Sequence, residues 1–472
     1  MIKVLKVLLS VLICTLFGCA PSNVEEAPVT EITFSFWEPG IAHELEEALQ
    51  TIADGYEKLH PDVKIRLISE PVESYQDWIK SQIIADDLPD IQSNHSSNIM
   101  SQYNAGLIVD VSNELNSRSA YGEKHIWKDT FKDLFIDEGE DGTSIPFFAV
   151  ELGIYYNKAI YEKLGLEIPK TWDEFMNNCE IIQNAGILPI AFMAQKADAC
   201  LWLKTGIAGG LHAEKHLSNE AININGDKSV SPYEACRAIL TGHVDFANDK
   251  VYQNEYREYV NRMEEFLSYC GGYPGFEESV AKAMFLSGEA AHMHTGSWDA
   301  YGMMLDNNEF DFEAGVFAFP AFGVNEDGSK GKRIMQLSSQ DIAVTKSVYK
   351  EEGKLEKVID FLQYLTSKEV YQEFIDNTAH LPVIKDVCCV KGMEVFEYDG
   401  YYNDMLLLKD GSNELIYSVL SENTPVLDSK FFGKLQKQMI ARSEEYAKEK
   451  NLSSENLYYM EETALGVFAG DR

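Results

Sequence analysis

The sequence is poor in positive charge: 40 lysines and arginines stand against 76 aspartates and glutamates, which gives a formal net charge of −36. Binding to nucleic-acid phosphates needs clustered positive charge, so we expect no nucleic-acid partner. After the first 17 residues, no apolar run reaches the roughly 20 residues of a membrane-spanning helix. The motifs G-x-x-x-x-G-K-[ST], G-x-G-x-x-G, H-E-x-x-H and G-x-S-x-G are also absent. The sequence therefore predicts no catalytic centre of these types and no cofactor.

Cysteine is sparse, with eight in 472 residues, no C-x-x-C pair and no zinc-type spacing. Two cysteines, Cys14 and Cys19, lie in the N-terminal leader. The other six are Cys179, Cys200, Cys236, Cys270, Cys388 and Cys389. In an exported protein these six could form disulfides or remain buried free thiols, and their spacing leaves both alternatives open. Only the adjacent pair at 388 and 389 is disfavoured as a disulfide, because a bond between neighbours is strained.

Two groups of residues contain metal-ligand types but have simpler interpretations. His292 and His294 lie two apart on an expected strand and share one face, which suits either a metal or ordinary sheet packing. The acidic run 137–142 lacks the ligand spacing of a calcium-binding EF-hand loop, so this run and the run 325–328 are interpreted as turns. We therefore expect no metal.

The sequence is rich in apolar and aromatic residues, at 45% and 11%. This is the composition of a globular protein, and its length suffices for two or three domains. Residues 32–36 alternate as a strand, apolar residues recur at helical spacing over 45–59, and residues 63–67 alternate again. A strand–helix–strand unit predicts a parallel sheet, in which ligands bind at the carboxyl ends of the strands. The residues just after these strands are Trp37, Glu38 and Glu70.

Further elements follow the same local rules. Thr171 and Glu174 form a capping box, which predicts the start of a helix. Residues 280–287 predict another helix, and residues 290–294 predict a buried strand. A short strand at 342–344 is expected to precede two amphipathic helices.

The N-terminus resembles the leader of a bacterial lipoprotein. Two lysines precede a short apolar run that ends in LFGC at 16–19, which resembles a lipobox with its lipidated cysteine. The alternative is an ordinary secretory signal with a chance cysteine. The resemblance implies that residues 1–18 are a signal peptide and that Cys19 carries a lipid. Residues 19–30 would then be a flexible tether that holds the chain outside the cytoplasmic membrane.

Five further segments occur in an order that is typical of one family. They are IADDLPDI at 84–91, GLIVDV at 106–111, GIYYNK at 153–158 with PKTWDEF at 169–175, FLSGEAA at 285–291 with GSW at 296–298, and FLQYLTS at 361–367 with LPV at 381–383. Together they resemble the extracellular solute-binding proteins of ABC transporters, sugar-binding family 1, the maltodextrin-binding-protein class. The resemblance extends from about residue 30 to about residue 390.

This resemblance implies an α/β fold of two lobes, the type II periplasmic-binding-protein fold, with a mostly parallel sheet and flanking helices in each lobe and hinge strands between them. The chain is expected to cross between lobes near 146–151, 319–335 and 380–382. Lobe one is then 31–147 plus 336–379, and lobe two is 148–335 plus 380–472, with a helical, charged region from about residue 430.

The same resemblance implies the function. A carbohydrate, expected to be an oligosaccharide, binds in the cleft between the lobes, which close over it. The loaded protein, expected to be a monomer, then docks on an ABC permease that a cytoplasmic ATPase drives.

The candidate ligand-binding residues follow from the chemistry of a sugar, which offers apolar C–H faces and a rim of hydroxyls to aromatic and polar side chains. They end a strand, lie in a crossing, or occupy positions where the family places contacts. They are Trp37, Glu38, Asn94, His95, Glu151, Trp202, Trp298, Asp299 and Gln340. Each has a structural alternative, because large aromatics usually pack in the core and polar loop residues are usually solvated or cap helices. The tryptophans assigned to the core are Trp78, Trp127 and Trp172.

Other functions stay open at this point. The solute could be a peptide, a polyamine or a metal, although several stacking candidates disfavour a metal. A secreted glycoside hydrolase or lyase would use carboxylates in the cleft, but among 76 carboxylates a pair at catalytic distance carries no weight. A sensor that signals to a membrane kinase would share the fold. The sequence favours a membrane-tethered, carbohydrate-binding lipoprotein that is not an enzyme.

Overall fold

The computed structural model describes residues 29–38, 44–122, 125–133, 135–136, 142–194, 203, 206–207, 219–224, 229–230, 232–271, 276–305, 311–320, 322, 333–335, 338–396, 405–408 and 428–449. Among these residues, no helix is both long and apolar enough to cross a membrane. The sequence predictions that lie outside the described residues concern the leader and tether up to residue 28, including Cys19, as well as Cys200, Trp202 and the acidic runs 137–141 and 325–328.

The strands are β1 (Thr30–Glu38), β2 (Val63–Pro71), β3 (Ile91–Asn94), β4 (Ile145–Val150), β5 (Leu152–Asn157), β6 (Leu188–Ala191), β7 (Ser229–Val230), β8 (Ala290–Gly296), β9 (Ala314–Ala318), β10 (Arg333–Met335), β11 (Ser338–Val344) and β12 (Met405–Leu408). The helices are α1 (Glu44–Leu59), α2 (Val72–Ala85), α3 (Ser96–Asn104), α4 (Ser112–Leu115), α5 (Lys158–Leu164), α6 (Trp172–Asn184), α7 (Pro232–Leu240), α8 (Lys250–Ser268), α9 (Glu278–Leu286), α10 (Lys354–Leu365), α11 (Lys368–Thr378) and α12 (Ser429–Glu449). Three short strands, β10, β12 and β7, form a small parallel sheet of their own.

Lobe one is built on a five-stranded sheet with the order β2-β1-β3-β11-β4. The expected strand–helix–strand unit is confirmed, because α1 joins β1 to β2 and the two strands pair in parallel along their whole length. The alternating residues Ile32 and Phe34 are fully buried in the main hydrophobic cluster. Both strands are longer than the alternating residues predict. Trp37, Glu38 and Glu70 therefore lie at the ends of the strands and not in the segments after them.

The directions of the strands define one edge of this sheet. β3 is parallel to β1, and β11 is antiparallel to both β3 and β4. The carboxyl ends of β1, β3 and β4 therefore lie beside the amino end of β11. We call this side of the sheet the carboxyl edge of lobe one. Because β11 begins at Ser338, the strand expected only over 342–344 is longer and reaches this edge.

Lobe two is built on a four-stranded sheet with the order β6-β8-β5-β9, in which β5 is antiparallel to β8 and β9. The capping box is confirmed: Thr171 Oγ1 accepts from the Glu174 N–H, and the Glu174 carboxylate accepts from the Thr171 N–H. The helix expected over 280–287 and the strand expected over 290–294 are confirmed as α9 and β8. Trp172 is fully buried, as expected for a core residue, and its indole N–H donates to Glu265 Oε2 at 2.7 Å.

The described part of the C-terminal region is the helix α12, which packs on lobe two. The Gln436 side chain makes two hydrogen bonds between α12 and lobe two. Its Oε1 accepts from the Phe246 N–H at 2.8 Å, and its Nε2 donates to the Val244 carbonyl at 3.0 Å. Phe432 and Leu435 extend the hydrophobic cluster of lobe two. This agrees with the helical region expected from about residue 430.

The chain passes from the first sheet to the second at Glu151, the single residue between β4 and β5. A later segment returns to β4, where Leu381 and Ala149 form an antiparallel bridge. Beyond it, the Val383 carbonyl accepts from the Lys132 N–H at 2.8 Å. The sequence assigns residues from 380 onward to lobe two, and this assignment stays a prediction. Leu381 and Val383 make these backbone hydrogen bonds with β4 and with Lys132. The other lobe boundaries stay predictions.

The described cysteines form no disulfide bonds with one another. Cys179, Cys236 and Cys270 are buried in lobe two, and Cys388 and Cys389 do not bond each other. Burial raises the pKa of the Cys236 thiol to about 11 and holds those of Cys179 and Cys270 far above their usual value. These three thiols therefore stay protonated and unreactive at neutral pH.

Candidate ligand-binding site

Asn94 ends β3 at the carboxyl edge of lobe one and is fully buried. Its Oδ1 accepts three hydrogen bonds, from the His95 N–H at 2.9 Å, Gln76 Nε2 at 2.9 Å and Asn98 Nδ2 at 3.0 Å. A backbone N–H can only donate, so the bond from His95 fixes the orientation of the amide. The Asn94 Nδ2 group therefore points away from these donors, and it has no hydrogen-bond partner among the described residues.

His95 follows Asn94 and is half-buried at the start of α3. Its Nδ1 is buried and has no hydrogen-bond partner within the described part of the chain. The His95 ring lies 5.2 Å from the Trp37 ring, which lies 5.1 Å from the ring of Tyr75 on α2. Trp37 is 5% exposed and packs between His95 and Tyr75, and its contact with a ligand stays a prediction.

Gln340 brings a third polar side chain to this edge. It lies on β11 beside a shift in register and pairs with Phe148 of β4, while its neighbour Asp341 pairs with Asn94 of β3. Gln340 is 4% exposed, and its Oε1 has no hydrogen-bond partner in the ranges that the structure describes. Adjacent strands thus carry an unpaired donor, the Asn94 Nδ2, and an unpaired acceptor, the Gln340 Oε1, at this edge. Because Asp341 is the residue opposite Asn94, the Asn94 and Gln340 side chains belong to opposite faces of the sheet.

Trp298 lies at the edge of the second sheet that adjoins the crossover. Here β5 begins where β8 ends, because Leu152 pairs with Gly296. Trp298 follows β8 in a short 3-10 turn and is half-buried. Its ring packs directly on Gly296, where an added methyl group would lie 2.1 Å from Trp298 Cζ3. Only glycine at this position allows the ring to lie where it does.

Asp299 holds the turn that carries Trp298. Its Oδ1 accepts from Lys282 Nζ at 2.9 Å, and its Oδ2 accepts from Thr295 Oγ1 at 2.7 Å. Burial by itself lowers the pKa of Lys282, but Asp299 and Glu278 outweigh burial and raise it. Lys282 therefore keeps its positive charge beside Asp299. Both Asp299 oxygens are engaged inside lobe two, which suits a residue that positions Trp298.

Glu151 connects the two edges. Its N–H donates to Ser297 Oγ at 3.2 Å, and the Ser297 N–H donates to the Glu151 carbonyl at 2.8 Å. The Leu152 N–H donates to Glu151 Oε1 at 3.1 Å. These bonds tie the crossover to the turn of Trp298, so the polar edge of lobe one and the indole of lobe two lie on either side of Glu151.

The structure thus places the candidate residues in two groups, and their contact with a ligand stays a prediction. Trp37, Asn94, His95 and Gln340 lie at the carboxyl edge of lobe one, Trp298 and Asp299 lie at the edge of lobe two, and Glu151 lies between. The backbone of Glu38 ends β1 at the first edge. Sequence reasoning missed Gln76 and Ser297. No local signal marks Gln76, whereas Ser297 is part of the G-S-W segment.

His292 and His294 on β8 are fully buried and neutral. The His292 Nδ1–H donates to the Pro189 carbonyl at 2.8 Å, and its Nε2 accepts from the Tyr161 hydroxyl at 2.7 Å. The His294 ring packs edge-on against Phe319 at 5.6 Å. Burial lowers the pKa of each to about 4. No group of three metal-ligand side chains occurs among the residues described.

The protein has two main β-sheets with flanking helices, joined at a one-residue crossover, with polar side chains at the edge of one sheet and an indole at the edge of the other. This is the two-lobed architecture of the type II periplasmic-binding-protein fold. The chain belongs to the bacterial extracellular solute-binding protein family, whose model matches residues 42–372. This confirms the resemblance found in the sequence. Membership of this family makes the protein an extracytoplasmic solute-binding protein.

The chain is similar to several known members of this class. It is 22% identical over 377 residues to a multiple sugar-binding protein of Streptococcus mutans, which covers 79% of this chain and 80% of that protein. It is also 22% identical over 393 residues to UgpB of Yersinia pestis, an sn-glycerol-3-phosphate-binding periplasmic protein, with 79% and 77% covered. Among solved structures, the apo form of RafE from Streptococcus pneumoniae has a TM-score of 0.62 at 18% identity, over 89% of this chain and 99% of that one. A second RafE structure contains raffinose and has a TM-score of 0.61 at the same identity, over 87% and 99%.

Proposed function

We propose that the protein captures a carbohydrate, in particular an oligosaccharide, between its lobes and delivers it to the permease of an ABC importer. The observation that carries this proposal is the collection of buried polar atoms at one edge, Asn94 Nδ2, His95 Nδ1 and Gln340 Oε1, none of which has a hydrogen-bond partner in the described part of the protein. A buried polar group without a partner costs about 1–3 kcal/mol, and native proteins keep few of them. A ligand that both donates and accepts hydrogen bonds would remove this cost.

A sugar matches both sides of the site. Each hydroxyl donates and accepts, as the Asn94 amide and the Gln340 carbonyl oxygen require. Across Glu151, the Trp298 indole suits the apolar C–H face of a sugar ring. None of the side chains assigned to the site is a lysine or arginine, which disfavours a phosphorylated solute such as the one in the name of the Yersinia relative. The names of the Streptococcus relatives agree with a sugar.

In this proposal the protein binds its solute and does not transform it. It acts as a monomer, and the permease works with a cytoplasmic ATPase. A lipid on Cys19 anchors the chain to the membrane, and the tether that follows keeps the lobes within reach of the permease. The leader sequence supports this anchor.

A thermal-shift screen of the purified protein tests the proposal. The probes are raffinose, stachyose, maltotriose, spermidine and a mixture of short peptides, each tested over a concentration series. A ligand at 100 times its dissociation constant adds about 2.7 kcal/mol to stability, which raises the melting temperature by a few degrees. We expect a shift from sugars of one type. A shift from spermidine or peptides alone would contradict the carbohydrate, and cleavage of a bound oligosaccharide would contradict a pure binding role.

A further inference from the structure

His380 is a buried imidazole that sequence reasoning treats only as part of a connection between lobes. It precedes Leu381, whose backbone exchanges two hydrogen bonds with Ala149 of β4, at 2.9 and 3.2 Å. In an antiparallel pair of this type, the residue before Leu381 lies opposite the residue after Ala149. His380 therefore lies beside Val150, at the carboxyl edge of lobe one and one residue from the crossover.

The His380 ring shares a face of the sheet with Gln340. It stacks on Phe148 with the ring centroids 4.0 Å apart and the planes inclined by 14°. On the other side of Phe148, β11 places Gln340 directly opposite. Residues opposed across neighbouring strands have their side chains on the same face. The imidazole of His380 and the amide of Gln340 thus flank Phe148 on one face, at the edge that carries the candidate site.

The ring nitrogens of His380 are buried without a hydrogen-bond partner in the described part of the chain. His380 is 1% exposed, and neither Nδ1 nor Nε2 has a hydrogen-bond partner among the residues that the structure describes. Burial lowers the pKa of His380 to about 3, so the ring is neutral at physiological pH and has one N–H donor and one acceptor nitrogen. Stacking on Phe148 does not need these nitrogens, because a phenylalanine would stack without leaving polar atoms unpaired.

We propose that His380 is a ligand-binding residue of the same site, whose ring donates one hydrogen bond to the sugar and accepts another from it beside Gln340. This inference rests on the proposed function and adds a residue to it. His380 lies on a segment next to Glu151, where the two sheets join. Movement of the lobes about this crossover gives the solute access to the ring and then encloses it.

Binding measurements on the full-length protein test this inference, with raffinose, stachyose and maltotriose as probes. His380→Phe keeps an aromatic ring against Phe148 and removes both nitrogens, whereas His380→Gln restores one donor group and one acceptor. His294→Phe is the matched control, because His294 is also a buried imidazole whose nitrogens have no partner in the described residues, but it lies among the rings of lobe two. Calorimetry gives the dissociation constants, and thermal melting checks the fold of each variant.

We expect His380→Phe to weaken binding of the recognised sugar roughly tenfold or more, since two hydrogen bonds are lost. His380→Gln should recover part of this loss, and His294→Phe should bind as tightly as the wild type. Equal affinities of wild type and His380→Phe would overturn the inference, as would an equal loss in His294→Phe. If no probe binds the wild type, the proposed function fails first and this inference fails with it.

A measurement on the unmutated protein covers the case in which His380→Phe does not fold. With 15N-labelled histidine, the ring resonances of His380 are assigned from their disappearance in His380→Gln. We expect them to shift when the sugar is added, while those of His294 stay in place. Unchanged His380 resonances in a saturated complex would overturn the inference.

Discussion

Three fully buried histidines should lower the free energy of unfolding when the pH falls from 7.5 to 5.5. Burial lowers the pKa values of His292, His294 and His380 to about 4, 4 and 3, whereas each titrates near 6.5 in the unfolded chain. Between these pKa values the unfolded state binds more protons than the folded state, so the free energy of unfolding rises with pH. The contribution of the neutral histidines to stability is complete above pH 6.5 and is lost as the pH falls toward 4. Each histidine should lower the free energy of unfolding by about 1 kcal/mol between pH 7.5 and 5.5, so the three together should lower it by about 4 kcal/mol.

Urea denaturation followed by circular dichroism at the two pH values measures this loss. His294→Leu replaces one of the three rings by an apolar side chain among Phe266 and Phe319. Its loss of stability between the two pH values should be about 1 kcal/mol smaller than that of the wild type. His125→Leu is the control, because His125 is exposed. Equal losses of stability in the wild type and His294→Leu would mean that the folded protein does not hold His294 neutral.

Trp298→Ala should weaken sugar binding by about 1–3 kcal/mol with the fold intact, and Gly296→Ala should also weaken it because the new methyl group displaces the ring; unchanged affinities in calorimetry would remove Trp298 from the site. Asp299→Asn should lower the free energy of unfolding by about 3 kcal/mol, because Lys282 loses a buried charge partner; an unchanged urea midpoint would contradict this. Cys19→Ala should release the protein into the soluble fraction of cells, and a variant that stays with the membranes would argue against the lipid anchor.

The secondary structure could be predicted where the information lies within a few neighbouring residues. The alternation of Ile32, Phe34 and Phe36 and the helical spacing that follows were enough for β1, α1 and β2. The capping box of Thr171 and Glu174 was enough for the start of α6. The length of β11 could not be predicted in this way. Its first residues pair with β4, nearly 190 residues earlier in the chain, and such pairing leaves no local pattern.

The candidate site shows the same limit. Residues at strand ends could be named from the sequence, because parallel strands present their carboxyl ends together. Trp37 is buried by packing against Tyr75, and Asp299 forms an ion pair with Lys282. Both are contacts between separate elements. His380 was passed over because its lack of partners and its stacking on another strand exist only in the folded chain.

A crystal structure of the protein with the sugar that gives the largest thermal shift would show where the solute binds. We expect the sugar between the lobes, with a hydroxyl within about 3.2 Å of Asn94 Nδ2 and another within that distance of Gln340 Oε1. A pyranose ring should lie against the Trp298 indole. A sugar bound elsewhere, or one that leaves Asn94 and Gln340 without a hydrogen bond, would show that these residues do not form the binding site.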